Sequence, residues 1–218
     1  MRQTRARLIS LAQKSLENAR ALIEEADLLF NNKRWARTVF LCHTAGEEFG
    51  KSIQCLTAVM DHARGVLDVA KFRKRFLNHR SKTTTIRFFE AMVTPDEDDN
   101  FMDEIKGIEH EVSVLTAGRN ATLYCDMLSD GAVFAPGEII PEKMARDALG
   151  WAKGRLAMAD ALIKPILESG VLKTKDDELR KKYDEFMRTM KDPEERKALR
   201  KSLAQGGPSL RHTPSKGL

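Results

Sequence analysis

The sequence predicts an all-α fold: an antiparallel bundle of four to five helices followed by a charged helical extension. Three observations carry this. Apolar residues recur at three- and four-residue spacing through most of the chain, strand-like alternation is nearly absent, and the breaks are short and rich in Gly, Pro and Asn. With 218 residues, 42% of them hydrophobic, the chain suits one core with appendages. The predicted organisation is a bundle over 1–170, the extension over 171–205 and a disordered tail over 206–218.

The first helix is expected from about Thr4 to Phe30, with Leu8, Leu11, Leu16, Ala19, Ile23, Ala26 and Phe30 on one stripe. Asn31-Asn32-Lys33 makes the turn. A second helix from about Arg34 to His62 directs Trp35, Val39, Cys42, Ala45, Phe49, Ile53, Leu56 and Met60 inward. After Gly65 comes a short basic helix, Val66 to about Asn78. Ser81 is the predicted cap of the next, which carries Ile86, Phe89, Ala91 and Met92 and stops at Pro95.

An acidic stretch opens a helix from about Asp98 to Gly118, where first-turn Asp residues suit the positive end of the helix dipole, and Arg119 falls just after its glycine. Residues 129–141 read as loop with one extended stretch. Pro141 suits the first turn of the last core helix, which runs to about Glu168 with Met144, Ala148, Ala152, Leu156, Ala159, Ile163 and Ile166 inward. Beyond Gly170, charge-rich helices are expected from Asp176 to about Met190 and from Pro193 to about Leu203. Gly206-Gly207-Pro208 ends any helix.

No apolar run approaches the roughly 18–20 residues of a membrane span, and Met1-Arg2-Gln3-Thr4-Arg5 is not followed by an apolar signal core, so a cytoplasmic protein without membrane contact is expected. Cys42, Cys55 and Cys125 form no CxxC pair and read as free thiols, Cys42 and Cys55 buried; neither a zinc site nor any other cofactor is expected. The net charge of +5 lies wholly in residues 173–218, which hold 13 Lys and Arg against 8 Asp and Glu. The remainder is neutral but polarised. Eight basic residues stand between Arg64 and Arg87 with Asp68 alone opposing, and eight acidic ones between Asp96 and Glu111 with Lys106 alone opposing. Two readings stay open: the blocks attract each other within the fold or between subunits, or the basic one faces phosphate.

Two short signals bear on chemistry. In Glu47-Glu48-Phe49-Gly50-Lys51, Glu47 and Lys51 stand at i,i+4 and are expected to pair on one helix face. In Arg119-Asn120-Ala121-Thr122-Leu123-Tyr124, a guanidinium able to grip phosphate through two parallel hydrogen bonds precedes a phenolic hydroxyl. One of Glu47 and Glu48 is expected to face the interior and pair with Lys51, Arg119 or a backbone donor, Glu47 being preferred as the organiser. A di-iron site would need Glu-x-x-His pairs; the residues three before each histidine are Phe40, Val59, Phe76, Gly107 and Ser209. Among the histidines, His79 is the preferred site residue, His43 reads as a core histidine or an orienting group beside Glu47, and His110 reads as solvated. His62 and His212 carry no signal.

Phe30-Asn31-Asn32-Lys33-Arg34-Trp35-Ala36-Arg37, leading into Ala45-Gly46-Glu47-Glu48-Phe49-Gly50-Lys51, resembles the second-helix segment of the HEPN superfamily, specifically its AbiV abortive-infection branch. The later matches are His79-Arg80-Ser81-Lys82 and Arg119-Asn120-Ala121-Thr122-Leu123-Tyr124-Cys125-Asp126, and the resemblance covers about residues 8–168. It implies an all-helical homodimer with a polar site in the cleft between subunits, acting in bacterial defence against phage. Many HEPN proteins are metal-independent ribonucleases with an R-x(4–6)-H motif, in which Arg neutralises the phosphorane and His carries protons. Here positions 124–126 are Tyr, Cys and Asp, and a Tyr of reference pKa near 10 is a poor general base at neutral pH.

Two functions therefore remain open. One is an abortive-infection toxin that shuts down translation by cleaving or binding RNA, with Arg119, Asn120, Tyr124, Glu47 and His79 as catalytic candidates and Lys51, Glu48, Lys82 and Asp126 as binding candidates. The other is a non-catalytic HEPN-like module that binds a phage protein or a translation factor. Expected partners are a second copy of the chain, RNA or the translation machinery, and a phage-encoded protein activator.

Overall fold

Chain breakers set most element boundaries in the computed structural model, which describes residues 2–94, 101–127 and 131–205. Helix α1 (Arg2–Asn31) and helix α2 (Trp35–Ala63) form an antiparallel hairpin. Its tight turn places Lys33 in the left-handed region at φ 58°, and the Phe30 and Trp35 rings meet across it at 5.1 Å. Helix α2 is the centre of the molecule, touching α1 on one side and, on the others, α4 (His79–Val93) and α7 (Glu142–Met158). The short α3 (Val69–Leu77) leads into α4, and α5 (Phe101–Ala121) packs along α4. The only described strands, β1 (Asp126–Met127) and β2 (Val133–Phe134), form a two-residue antiparallel ladder before α6 (Pro136–Ile139). The fold is all-α, as the periodicity predicts.

Several local expectations are corrected. The cap of α4 lies three residues before the Ser81 foreseen: Asn78 is the cap, its side-chain oxygen accepting the Ser81 N–H at 2.8 Å, so His79 lies in the first turn. Helix α5 does not end at Gly118. It continues to Ala121, where the Thr122 hydroxyl takes the Arg119 carbonyl at 2.6 Å, so Arg119 and Asn120 belong to its last turn. The foreseen start of that helix at Asp98, the stop at Pro95 and residues 129–130 of the loop lie outside the described residues, as does the tail 206–218.

The last core helix is also not continuous to Glu168. A π-helical turn spans Ala159–Ile163 before α8 (Lys164–Glu168). Pro165 has no N–H to give and its ring opposes the preceding turn, which is the physical cause of the interruption. The extra residue in that turn rotates the short helix after it, so Leu167 is buried at 5% exposure while Ile166, expected inward, is 39% exposed.

The extension folds back onto the bundle. Leu172, in a 3₁₀ turn, and Leu179, at the start of α9 (Asp176–Lys191), are fully buried within the main core beside Phe49, Val59 and Ile163. Helix α10 (Pro193–Gln205) docks through Arg200, whose Nε donates to the Thr94 carbonyl at 3.0 Å and whose Nη2 pairs with Glu104 at 3.1 Å. The basic and acidic blocks meet between α4 and α5: Arg80 pairs with Glu109 at 3.2 Å and Arg87 with Glu111 at 2.5 Å. Attraction within the fold thus accounts for this part of the polarity, residues 96–99 lying outside the described residues.

Candidate functional site

Two glycines of α2 decide how closely its neighbours approach. A Cβ on Gly50 would lie 2.5 Å from the Lys82 carbonyl oxygen and 3.1 Å from Ile86 Cγ1, so only glycine admits the α4 backbone here. A Cβ on Gly46, one turn earlier, would lie 2.9 Å from an Arg155 guanidinium nitrogen of α7. The seam between α2 and α4 is completed by Gln54, whose amide donates to the Thr85 hydroxyl at 3.0 Å and the Ser81 hydroxyl at 3.3 Å.

That close approach brings the first turn of α4 to Glu47. The carboxylate, 5% exposed, receives Lys82 Nζ on Oε2 at 2.7 Å and His79 Nδ1 on the same oxygen at 2.6 Å. Because an ionised carboxylate only accepts, Nδ1 carries the proton in the neutral ring, and Nε2 is left as an acceptor with no partner among the described residues. Lys82 Nζ, 3.4 Å from Nδ1, is then a neighbouring cation rather than a hydrogen-bond partner. The lysine side chain is 5% exposed, whereas that of His79 is 51% exposed and reaches solvent.

Arg119 completes the group from the last turn of α5. Its Nε stands 3.2 Å from Glu47 Oε1, yet this N–H is enclosed and not aligned on any acceptor, so the contact is an ion pair rather than a directed hydrogen bond. The guanidinium lies over the Phe40 ring, 5.3 Å from its centroid. Its two terminal nitrogens make no bond to described residues, which leaves the planar fork able to take a second, external anion. Burial pushes the Glu47 carboxyl up, but the hydrogen bonds and charges of Lys82 and His79 outweigh it, leaving Glu47 below its ordinary value and ionised.

One turn before Glu47, His43 keeps a partly exposed edge but sits among packed side chains. Burial, then the charge of Arg155, lowers its pKa to about 4 against the opposing pull of Glu47. It is neutral at physiological pH and no proton carrier. Behind the site a second ionic group locks the helices. Arg155 Nε pairs with Glu90 at 2.6 Å, both side chains 6% exposed; Arg87 bridges Glu90 at 2.6 Å and Glu111 at 2.5 Å, and the Arg155 guanidinium stacks 3.4 Å from the Trp151 ring centroid. Desolvation raises Glu90, but Arg155 and Arg87 bring it below its ordinary value.

Of the candidates read from sequence, Glu47, His79, Lys82 and Arg119 come together. Lys51 does not join them: it pairs with Glu48 at 2.6 Å and lies over Phe76, which corrects the expected Glu47–Lys51 pair. Lys82 and Arg119 already occupy Glu47, and Lys51 pairs instead with Glu48, three residues before it. Asn120, Tyr124 and Asp126 are exposed, Tyr124 at 60%, and none bonds to the cluster through its side chain; Asp126 instead accepts the Met127 N–H at 2.8 Å. Sequence reasoning missed Arg155 and Glu90. The available signal was an arginine on the small-residue stripe Ala148, Ala152, Ala159, where charge demands a buried partner. Among the described residues no group of three or more His, Cys, Asp or Glu gathers as a metal would require.

A sequence model of the AbiV family of HEPN proteins matches residues 7–157. No curated protein and no solved structure was found to match the chain.

Proposed function

The chain belongs to the AbiV family of HEPN proteins, and from that premise we propose that it is an abortive-infection protein that stops translation in a phage-infected bacterial cell by acting on RNA at the Glu47 cluster. The observation that carries this reading is the pairing of two unused groups on one carboxylate: the open fork of Arg119 and the solvent-facing Nε2 of His79.

In such a site Arg119 grips the scissile phosphate and, with Lys82 behind it, offsets charge as the phosphorane forms. His79, oriented through Nδ1 by Glu47, takes the 2′-hydroxyl proton at Nε2. The 2′-oxygen bonds to phosphorus, the bond to the 5′-oxygen breaks, and His79 returns the proton to that oxygen. The chemistry needs only a positioned proton carrier and fixed positive charge. The proton carrier thus comes from α4 rather than from positions 124–126, where Tyr, Cys and Asp stand.

The active form in this proposal is a homodimer. Support comes from apolar side chains left open on α5 and the hairpin beyond it, Met102, Val114, Met127 and Val133. The non-catalytic reading, a module that binds a phage protein or translation factor, is favoured by the exposed Tyr124 standing apart from the cluster.

Incubating total cellular RNA with the purified protein in EDTA separates the two. Cleavage that disappears in Arg119→Ala and His79→Gln is the expected result. RNA left intact by wild-type protein, with cellular toxicity retained and dependent on the exposed surface rather than on Arg119, overturns the ribonuclease reading in favour of binding.

A further inference from the structure

The eight basic residues between Arg64 and Arg87 divide evenly in the folded chain. Arg64 pairs with Asp61 at 3.7 Å, Arg80 with Glu109 at 3.2 Å, Lys82 with Glu47 at 2.7 Å and Arg87 with Glu90 at 2.6 Å. The other four, Lys71, Arg73, Lys74 and Arg75, all stand on α3, are exposed, and meet no acid among the described residues. Asp68, the one acid in this stretch, is engaged as the N-cap of α3 and accepts the Lys71 N–H at 2.9 Å. The acids at 96–99, outside the described residues, join the chain beyond the far end of α4, whose fifteen residues carry it roughly 22 Å from His79. Attraction within the fold therefore accounts for the α4 half of the basic block and not for α3.

The helix is fixed by its underside. Phe72, 8% exposed, enters the main core with its ring centroid 5.5 Å from that of Phe76, and Lys51 of α2 lies over the Phe76 ring at 5.4 Å. Lys71, Lys74 and Arg75 recur at i, i+3 and i+4, so they share one outward face. A helix lying on a membrane would turn its aromatic side chains outward, and a protein interface would centre on such an anchor; here both rings point into the bundle. What α3 presents is a row of fixed cations, which suits the regularly charged backbone of a nucleic acid.

Its position gives that row a use. Arg75 precedes His79 by four residues, a reach of at most about 14 Å, with the α4 cap Asn78 between them. A strand held along α3 is thus delivered to the side of the Glu47 cluster where His79 faces solvent. We propose that α3 is a docking surface for the RNA backbone, with Lys71, Lys74 and Arg75 holding phosphates next to the one gripped by Arg119; this rests on the ribonuclease reading of the cluster. Because these contacts go to phosphate, they hold RNA irrespective of its sequence.

Fluorescence anisotropy of the full-length chain with a labelled single-stranded oligoribonucleotide, 2′-O-methylated so that it binds without being cleaved, tests this across a salt series. In the triply substituted Lys71→Gln, Lys74→Gln, Arg75→Gln protein, the slope of log affinity against log salt should shrink by about two, from three charges at about 0.7 each, and low-salt affinity should fall by about tenfold or more. An Arg7→Gln, Lys14→Gln, Arg34→Gln protein, which loses equal charge elsewhere, should keep nearly the original slope. All six side chains are exposed and form no ion pair among the described residues, so folding is not at issue. No binding of RNA by the unsubstituted protein, an unchanged slope in the α3 variant, an equal loss in the control, or tighter binding to polyglutamate or to phosphatidylserine-containing vesicles than to RNA each overturns the assignment. Cleavage of unmethylated RNA keeps the two proposals apart. RNA bound through α3 but never cleaved removes the ribonuclease reading and supports α3 as the RNA-binding surface, whereas cleavage by the α3 variant with an unchanged KM removes α3 and leaves the cluster in place.

Discussion

A carboxylate enclosed by helices has to be paired or neutralised, and Glu47 shows which. Two donors, Lys82 and His79, converge on it with Arg119 as a third cation beside them, and its depressed pKa comes from Lys82 and His79 rather than from burial, which acts in the opposite direction. Glu47→Gln should cost on the order of 3–5 kcal/mol, because it leaves Lys82 buried without a counter-charge. Chemical denaturation reads this directly; a loss under 1 kcal/mol would mean that Lys82 escapes to solvent. His43 sets a different pH dependence. The unfolded chain takes up its proton near 6.5 and the folded ring only near 4, so between these values the unfolded state holds more protons. Stability from this group is complete above about 6.5 and drains away as pH falls toward 4. In His43→Gln the slope of stability against pH across that window should flatten, and an unchanged slope would assign acid sensitivity to Glu47 and Glu90 alone, which act below their ordinary values. At this scale Glu47, His79 and Arg119 were legible in sequence, since each is a polar side chain with a spacing that needs explaining. The partner of Lys51 was not: Glu48 at i−3 and Glu47 at i−4 are both within reach, and only the position of α4 decides between them.

At the scale of elements, the site depends on how near α4 and α7 come to α2. Gly50→Ala places a methyl 2.5 Å from backbone, which cannot move as a side chain can. Overpacking of this kind typically costs about 1–3 kcal/mol. The larger effect should be on function: pushing α4 outward separates Lys82 and His79 from Glu47, so the RNA cleavage proposed for this site should fall at least tenfold in a protein that still folds. Full activity in a folded Gly50→Ala protein would show that the seam tolerates the shift. Arg155→Met, by contrast, leaves the buried Glu90 with Arg87 as its remaining partner and should destabilise by about 2–4 kcal/mol, with most of the loss recovered in the double change with Glu90→Leu. Helix existence and core faces were readable from period alone, but two boundaries were not. Gly118 reads as a helix stop and is simply passed through, because nothing there requires a positive φ. The π turn before Pro165 shifts the register by a residue, so a strict 3.6 period selects Ile166 where the fold buries Leu167.

For the whole molecule, the open question is what the extension contributes. Its composition is too charged for a core of its own, and hydropathy alone therefore separates it from the bundle. Packing does the reverse: two leucines enter the main core, Arg180 donates to the last carbonyls of α2 at Ala63, and Arg200 is buried against Phe101 while reaching Thr94 and Glu104. Few apolar residues suffice when each is fully enclosed, and long arginines bring their stems as well as their charge. Full burial of Leu172 and Leu179 contributes about 1.5–3 kcal/mol each before any ion pair is counted. Ending the chain at residue 170 should therefore lower the unfolding midpoint by several degrees or more and expose the apolar surface around Phe89, Met92 and Ile163. This separates two roles for the basic excess. If residues 173–218 only bind RNA, truncation flattens the salt dependence of affinity and leaves the melting curve where it was. If they brace the bundle, melting shifts first, and exchanging exposed lysines such as Lys181 and Lys182 for glutamine changes the salt slope without moving the midpoint. The docking of Leu172 and Arg200 leads us to expect the second result.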